Sequence, residues 1–221
     1  MPRRTFSEME QSLIDIAGEL FDRRGFNQSS LQDVADVLGK DRTALYHYFT
    51  NREEILAAGI GQVTLRRNRI LRKFRSVKGE PPERLEWLVR GLGQLISENP
   101  VWIRVASRDD LALPRRVRDL EYGSRRAYFE VLVDVLREGV EKGYFRLLDE
   151  RATALTIVSS LAGLRGHYSA EAGIDPEVAT RLTVDILLHG VLDSGQKPGS
   201  AMGRGLRLIR DGFMRVEREI G

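Results

Sequence analysis

Cysteine is absent from the 221 residues, which excludes disulfides and thiolate metal sites and agrees with a cytoplasmic location. Long apolar runs are missing too. No stretch approaches the ~18 residues of a transmembrane helix, so no membrane partner is expected. Met1-Pro-Arg-Arg leads directly into a polar amphipathic segment, a start unlike a secretory signal. No alternating apolar pattern of strand length occurs, and no segment repeats. Catalytic constellations are lacking as well. The histidines are His47, His167 and His189, and Ala44, Leu164 and Ile186 stand three residues before them. The Glu-x-x-His pairs of a di-iron bundle are therefore not present. A nucleophile elbow, a phosphate-binding glycine loop and a His-Glu-x-x-His zinc motif are equally missing. These absences argue against an enzyme and imply no cofactor and no metal. A large excess of positive charge is lacking: the net charge is only +3, although the pI is about 9.3. Residues 1–56 carry more Asp and Glu than Lys and Arg. The cations gather next door in Arg66, Arg67, Arg69, Arg72, Lys73 and Arg75. Any contact with nucleic acid must rest on a few placed residues and not on a broad field.

What remains is helical. Apolar content of 42% and charged content of 30% fit a globular protein with a real core. Ser7 with Glu10 is a capping-box pattern that opens a helix to about Arg23, with Leu13, Ile16, Ala17, Leu20 and Phe21 inward. Ser29 or Ser30 caps a short helix whose stripe is Leu31, Val34, Ala35 and Leu38, and Gly39 ends it. Asp41 caps the next, with Leu45 and Phe49 inward. The spacing Ala35, Gly39, Leu45 is that of a helix-turn-helix: a small residue for close crossing, a glycine for the turn, an apolar clamp. Arg42, Thr43, Tyr46 and His47 are left outward, a face able to read a DNA groove. An ordinary helical hairpin with a solvated face has the same spacing, so spacing alone does not separate the two.

Leu45-Tyr46-His47-Tyr48-Phe49 followed by Asn51-Arg52-Glu53-Glu54-Ile55-Leu56 resembles the signature of the tetracycline-repressor (TetR) family of bacterial transcription regulators. Val34-Ala35, Leu38-Gly39, Ile16-Ala17, Leu20-Phe21 and Arg24-Gly25-Phe26 match its other landmarks. The resemblance covers the first quarter closely and the rest in architecture. Three departures stand out. Lys40 replaces an apolar residue after the turn glycine. His47 and Tyr48 stand where a variable residue and then histidine are usual, which leaves open which ring faces DNA. Arg52 replaces a lysine at the start of the fourth helix.

The resemblance implies an all-α chain, with a three-helix DNA-binding domain over residues 1–50 and a helical ligand-binding and dimerisation bundle over 51–221. Double-stranded operator DNA, a second copy of the chain and a small-molecule effector are the implied partners. Arg42, Thr43, Tyr46 and His47 are the expected base-side residues, with Gln32 reaching from the helix before. Ser29, Ser30, Tyr48 and Arg52 are the expected phosphate anchors. Helices over about 151–168 and 176–192 would form the dimer contact, helped by Ala152, Ala154, Ser159, Ser160, Ala162 and Gly163. For the effector, Trp102, Tyr122, Phe129, Tyr144, His167 and Tyr168 offer aromatic surface. Arg104, Arg108, Arg125, Arg126 and Arg165 could meet an anion. Gly143-Tyr-Phe-Arg, Asp149 and a helix ending in His167-Tyr168 are similar to family members that sense acyl-CoA thioesters, which makes an acyl-CoA the leading effector candidate. The tail stripe Leu206, Ile209, Phe213, Val216 and Ile220 carries the alternative, an architectural or protein-docking helix-turn-helix protein without an effector.

Overall fold

The computed structural model describes residues 7–108, 113–146, 149–163 and 176–191. The expectations placed on Arg165, His167, Tyr168 and the tail after Gly199 lie outside them. So do the side chains of Arg42 and Arg108. Among the described residues the regular elements are helical, and none is long and apolar enough to cross a membrane.

Helix α1 spans Glu8–Arg24, and the expected box is formed: Glu10 N–H donates to Ser7 Oγ while Ser7 N–H donates to the Glu10 carboxylate at 2.8 Å. A single 3-10 turn over Phe26–Gln28 leads to α2, Leu31–Leu38. Ser30, not Ser29, caps α2, in a second box closed by Asp33. Gly39 takes the left-handed conformation at φ 61°, and the α2 carbonyls are closed in Schellman fashion: Gly39 N–H reaches Asp36 O and Lys40 N–H reaches Ala35 O at 3.0 Å. Asp41 caps α3, Arg42–Leu45, by accepting from Thr43 N–H at 2.8 Å. That hydrogen bond holds the Asp41 carboxyl below its ordinary pKa. The helix is shorter than the spacing implied. Tyr46 continues in helical geometry, and Phe49 N–H still returns to Leu45 O at 3.0 Å.

Asn51 caps α4, Arg52–Phe74, through Glu54 N–H at 2.9 Å. At 1.5 Å per residue this helix is about 35 Å long. It packs on α1 near its start and on α5 and α7 farther along, so it belongs to both halves of the protein. Helices α5 (Pro81–Glu98), α6 (Pro100–Arg108), α7 (Arg115–Glu141), α8 (Glu150–Gly163) and α9 (Pro176–Val191) complete the bundle. Helix α5 lies against α4, α6, α7, α8 and α9. One continuous apolar core runs from Leu13 in α1 to Val191 in α9.

Candidate nucleic-acid interface and ligand cavity

The turn between α2 and α3 is set from beneath by Val34, Ala35, Leu45 and Phe49, all buried. Above them Thr43, Tyr46 and His47 are exposed, Tyr46 to 45%. Tyr48 is half-buried and packed on the core, so of the two rings left open in the sequence His47 is the outward one. Gln32 is exposed, and its amide donates along its own helix to Asp36 at 2.7 Å.

Two expected phosphate anchors are engaged within the protein. Ser29 is only 1% exposed; its hydroxyl donates to Gly25 O at 2.9 Å and points inward. Arg52 also turns back into the protein. Its Nη1 donates to the carbonyls of Phe26, Asn27 and Ser29 at 3.0, 3.1 and 2.7 Å, and its guanidinium lies 4.6 Å from the centre of the Phe26 ring. Arg52 thus ties α4 to the loop before α2. Ser30 is exposed, but its hydroxyl is engaged with Asp33, whose carboxyl that bond holds below its ordinary pKa.

Two expected ligand residues stand away from the cavity described below. Trp102 of α6 is buried at the joint between α6, α1 and α4. A Cβ added at Gly18 would lie 3.0 Å from its ring, and one at Gly59 would lie 2.2 Å away. Its ring also meets Phe21 edge-on at 6.2 Å between centroids. Arg104, two residues on, pairs with Asp22 of α1 through Nε at 2.8 Å and Nη2 at 2.7 Å. Both side chains fasten α6 to α1, and both were expected to bind a ligand because an aromatic and an arginine on a short helix look alike in either role. Tyr122 is exposed on α7 and does not line the cavity described next.

Arg125 and Phe129 do line a cavity, of about 500 Å³, between α4, α5, α6, α7 and α8. That volume lies in the usual range for small-molecule sites. Leu92, Leu95 and Ile96 from α5, Ile103 from α6 and Val158 and Ala162 from α8 give it apolar walls. Tyr128 and Phe129 add aromatic surface, and Arg67, Arg125, Arg126 and Arg151 add positive charge. Arg151 lies 5.2 Å from the centre of the Phe129 ring and grips Glu130 with two hydrogen bonds at 3.0 and 3.1 Å.

Behind this wall lies a polar seam between α4 and α7. The side chains of Arg67 and Glu121 are 7% and 3% exposed. Arg67 Nη1 and Nη2 donate to the two Glu121 oxygens at 2.8 and 3.0 Å; Arg125 Nε donates at 2.8 Å and Thr64 Oγ1 at 2.6 Å. Ser124 Oγ donates to Asn68 at 2.8 Å one turn away. Burial alone would push the Glu121 carboxyl up. The Arg67 hydrogen bonds and charge, the Arg125 charge and the Thr64 hydroxyl outweigh it and hold the carboxyl below its ordinary value. Tyr128, buried beside Leu88, is pushed the other way by desolvation.

This seam is absent from the sequence reading, where Arg67 stood among the cations gathered after residue 56. Its signal was present. Ile60, Val63 and Arg67 share one face of α4, and Val117, Glu121, Ser124 and Tyr128 share one face of α7. Opposite charges on two apolar faces mark a buried pair.

Known proteins agree with this architecture. Residues 13–58 match the model for bacterial regulatory proteins of the tetR family, and residues 78–191 match that for the tetracyclin repressor-like C-terminal domain. A curated relative, the HTH-type transcriptional repressor KstR2 of Mycobacterium tuberculosis H37Rv, is 25% identical over 138 residues, which are 61% of this chain and 68% of that protein. Among solved structures, the ketosteroid transcriptional regulator KstR2 of M. tuberculosis superposes with a TM-score of 0.75 at 21% identity, over 86% of this chain and 98% of that one. The TetR family regulator PfmR of Thermus thermophilus gives 0.70 at 26% identity, over 80% and 97%. AibR, solved in complex with isovaleryl coenzyme A and operator DNA, gives 0.68 at 18% identity, over 82% and 98%. The second family model alone spans more than half of the residues, and together with the reading turn matched at the other end it leads to one conclusion: this chain belongs to the tetR family of bacterial regulatory proteins.

Proposed function

We propose that the chain is a ligand-responsive repressor, a binding protein and not a catalyst, that works on DNA in the cytoplasm as a homodimer. The observation that carries this is the path of α4. It begins beside the reading turn, and Arg67, about 22 Å along it, enters the cavity wall. An event in the cavity therefore has a rigid route to the turn. Residues 1–50 act as the reader and 51–221 as the regulatory bundle, with α4 built into both. The second route is α6, whose Ile103 and Ser107 face the cavity while Trp102 and Arg104 hold α1.

The DNA contact rests on the outward face Thr43, Tyr46 and His47 together with Arg42, and on Gln32, Ser30 and Tyr48 nearby. His47→Ala is expected to weaken operator binding by about 1–3 kcal/mol and to relax preference at one base pair, read by competition with single-base operator variants. Equal weakening on every sequence would make His47 a phosphate contact instead.

Dimerisation is carried by an apolar face left uncovered among the described residues. Val178, Leu182 and Ile186 of α9 recur every four residues and are exposed, Ile186 to 69%, and Leu155 of α8 is exposed beside the small residues Ala152, Ser159 and Gly163. Ala154 is buried within the chain and takes no part. A two-fold axis through this face makes it self-complementary. Ile186→Glu is expected to convert the dimer to monomer in sedimentation and to abolish tight binding to an inverted repeat, while the far-ultraviolet helical signal stays.

The effector is an amphiphilic anion: apolar and aromatic walls for its body, guanidiniums for its charge. An acyl-CoA has that chemistry, and AibR, of the same fold, was solved with one. Saturable, sequence-dependent shift of DNA from around its own gene, reversed by acyl-CoAs that also raise the melting temperature, is the expected result. Binding that is sensitive to salt but blind to sequence would favour the architectural alternative.

A further inference from the structure

The seam behind the cavity gathers guanidiniums around few carboxylates. Arg67 and Arg125 both converge on one carboxylate, Glu121, and the cavity wall adds Arg126 and Arg151 against Glu130. Among the described residues, Arg67 is the one that both lines this largely apolar space and binds the buried Glu121 through two nitrogens. Arg67 is the buried member of this set, so an oxyanion that enters the cavity meets its guanidinium in largely apolar surroundings, where a charged hydrogen bond is strong. Glu121 is also the group that joins α7 to α4. The buried polar side chains Thr64, Arg67, Glu121 and Ser124 all lie in this one contact. A guanidinium that belongs at once to the cavity wall and to the tie cannot give its donors equally to two anions.

We propose that Glu121 is an internal stand-in for the effector's oxyanion: a carboxylate or phosphate attached to an apolar body competes with it for Arg67 and Arg125, and so loosens α4 from α7 when the cavity fills. This rests on the reading of the chain as a ligand-responsive regulator and names the residues and charge through which that response passes. The apolar walls hold the body of the ligand whether or not it is charged. The oxyanion alone acts on the tie. The coupling thus needs only an exchange of partners by Arg67 and a shift of α4, the wall that carries it. Because the same differential contact serves both sites, DNA that favours the tied form must weaken oxyanion binding by the same factor.

The test uses the full chain with decanoate, decanoyl-CoA and uncharged decanol, each titrated by calorimetry against the wild type, Glu121→Gln and Arg125→Gln. Removing the internal carboxylate is expected to tighten the oxyanion ligand about tenfold and to leave decanol within about twofold. Arg125→Gln, at a half-exposed side chain, is expected to weaken the oxyanion ligand about tenfold, again with decanol unmoved, and it serves if the buried Glu121 variant does not fold. A response confined to decanoate identifies a carboxylate as the source, and one confined to decanoyl-CoA identifies a phosphate. Either supports the exchange. If both charged ligands track decanol across the variants, or bind more weakly to Glu121→Gln, Glu121 is no stand-in and the proposal fails. Operator binding by the unliganded wild type is measured alongside. Its absence would strike the regulator reading, whereas a charge-blind cavity strikes this inference alone.

Discussion

Glu121→Ala is expected to cost about 3–5 kcal/mol of unfolding free energy, the range for removing one partner of a buried ion pair. The loss comes less from the missing attraction than from what stays behind. Arg67, nearly inaccessible, and the half-buried Arg125 would keep their charges with no carboxylate between them, and the Thr64 hydroxyl would lose its acceptor. Denaturant unfolding of the two proteins measures the difference. An effect under about 1 kcal/mol would mean that water reaches the seam, as it does for exposed pairs. The sign with pH follows from the direction of the shift. Because the folded protein holds the Glu121 carboxyl below its ordinary value, its contribution is complete above the unfolded pKa, near 4.5, and is lost as pH falls through the lower folded one. Glu121→Gln should therefore flatten the acid limb of the stability profile relative to wild type.

Trp102→Ala is the second large effect, about 3–5 kcal/mol, as for other buried aromatic truncations. The indole fills the joint where α6 crosses α1 and α4, and the two glycines that receive it have no side chains to fill the space it would leave. Gly59→Ala gives the sharper check, because two effects oppose each other there. Alanine within a helix should gain about 1 kcal/mol over glycine. Here its Cβ would stand 2.2 Å from the ring, so the indole must move, and overpacking of that kind costs about 1–3 kcal/mol or more. Net destabilisation is expected, together with weaker operator binding, since the wedge sets the angle between α1 and α4. A stabilised Gly59→Ala protein would show that the joint yields easily and does not transmit position.

The parts of the fold that were legible from sequence were those settled within a few residues. Ser7 with Glu10, Gly39, Asp41 and Asn51 each fix a helix end by a hydrogen bond or a backbone conformation that needs no distant partner. The helix-turn-helix is built of such local decisions, so its core and its outward residues were readable. The contacts of Ser29, Arg52, Trp102 and Arg104 within the protein were not readable, for the opposite reason. A serine beside a cap, an arginine at a helix start and an aromatic-arginine pair have the same local appearance whether they face solvent, a ligand or another helix. What decides is a partner far along the chain: Phe26 and Asn27 for Arg52, Gly18 and Gly59 for Trp102, Asp22 for Arg104. Arg67 and Glu121 fall between these cases. Each sits on an apolar helical face, which signals burial, but that they meet each other follows only from how α4 and α7 cross.

Selection of DNA from a random duplex library by the purified full chain tests the central claim most directly. A two-fold dimer that reads with the turn after α2 should enrich an inverted repeat whose half-sites lie about 34 Å apart, one helical turn, or a multiple of it. The same selection with Ile186→Glu should enrich nothing. Recovery of no common sequence, or of a single asymmetric site bound equally well by the monomeric variant, would contradict the account.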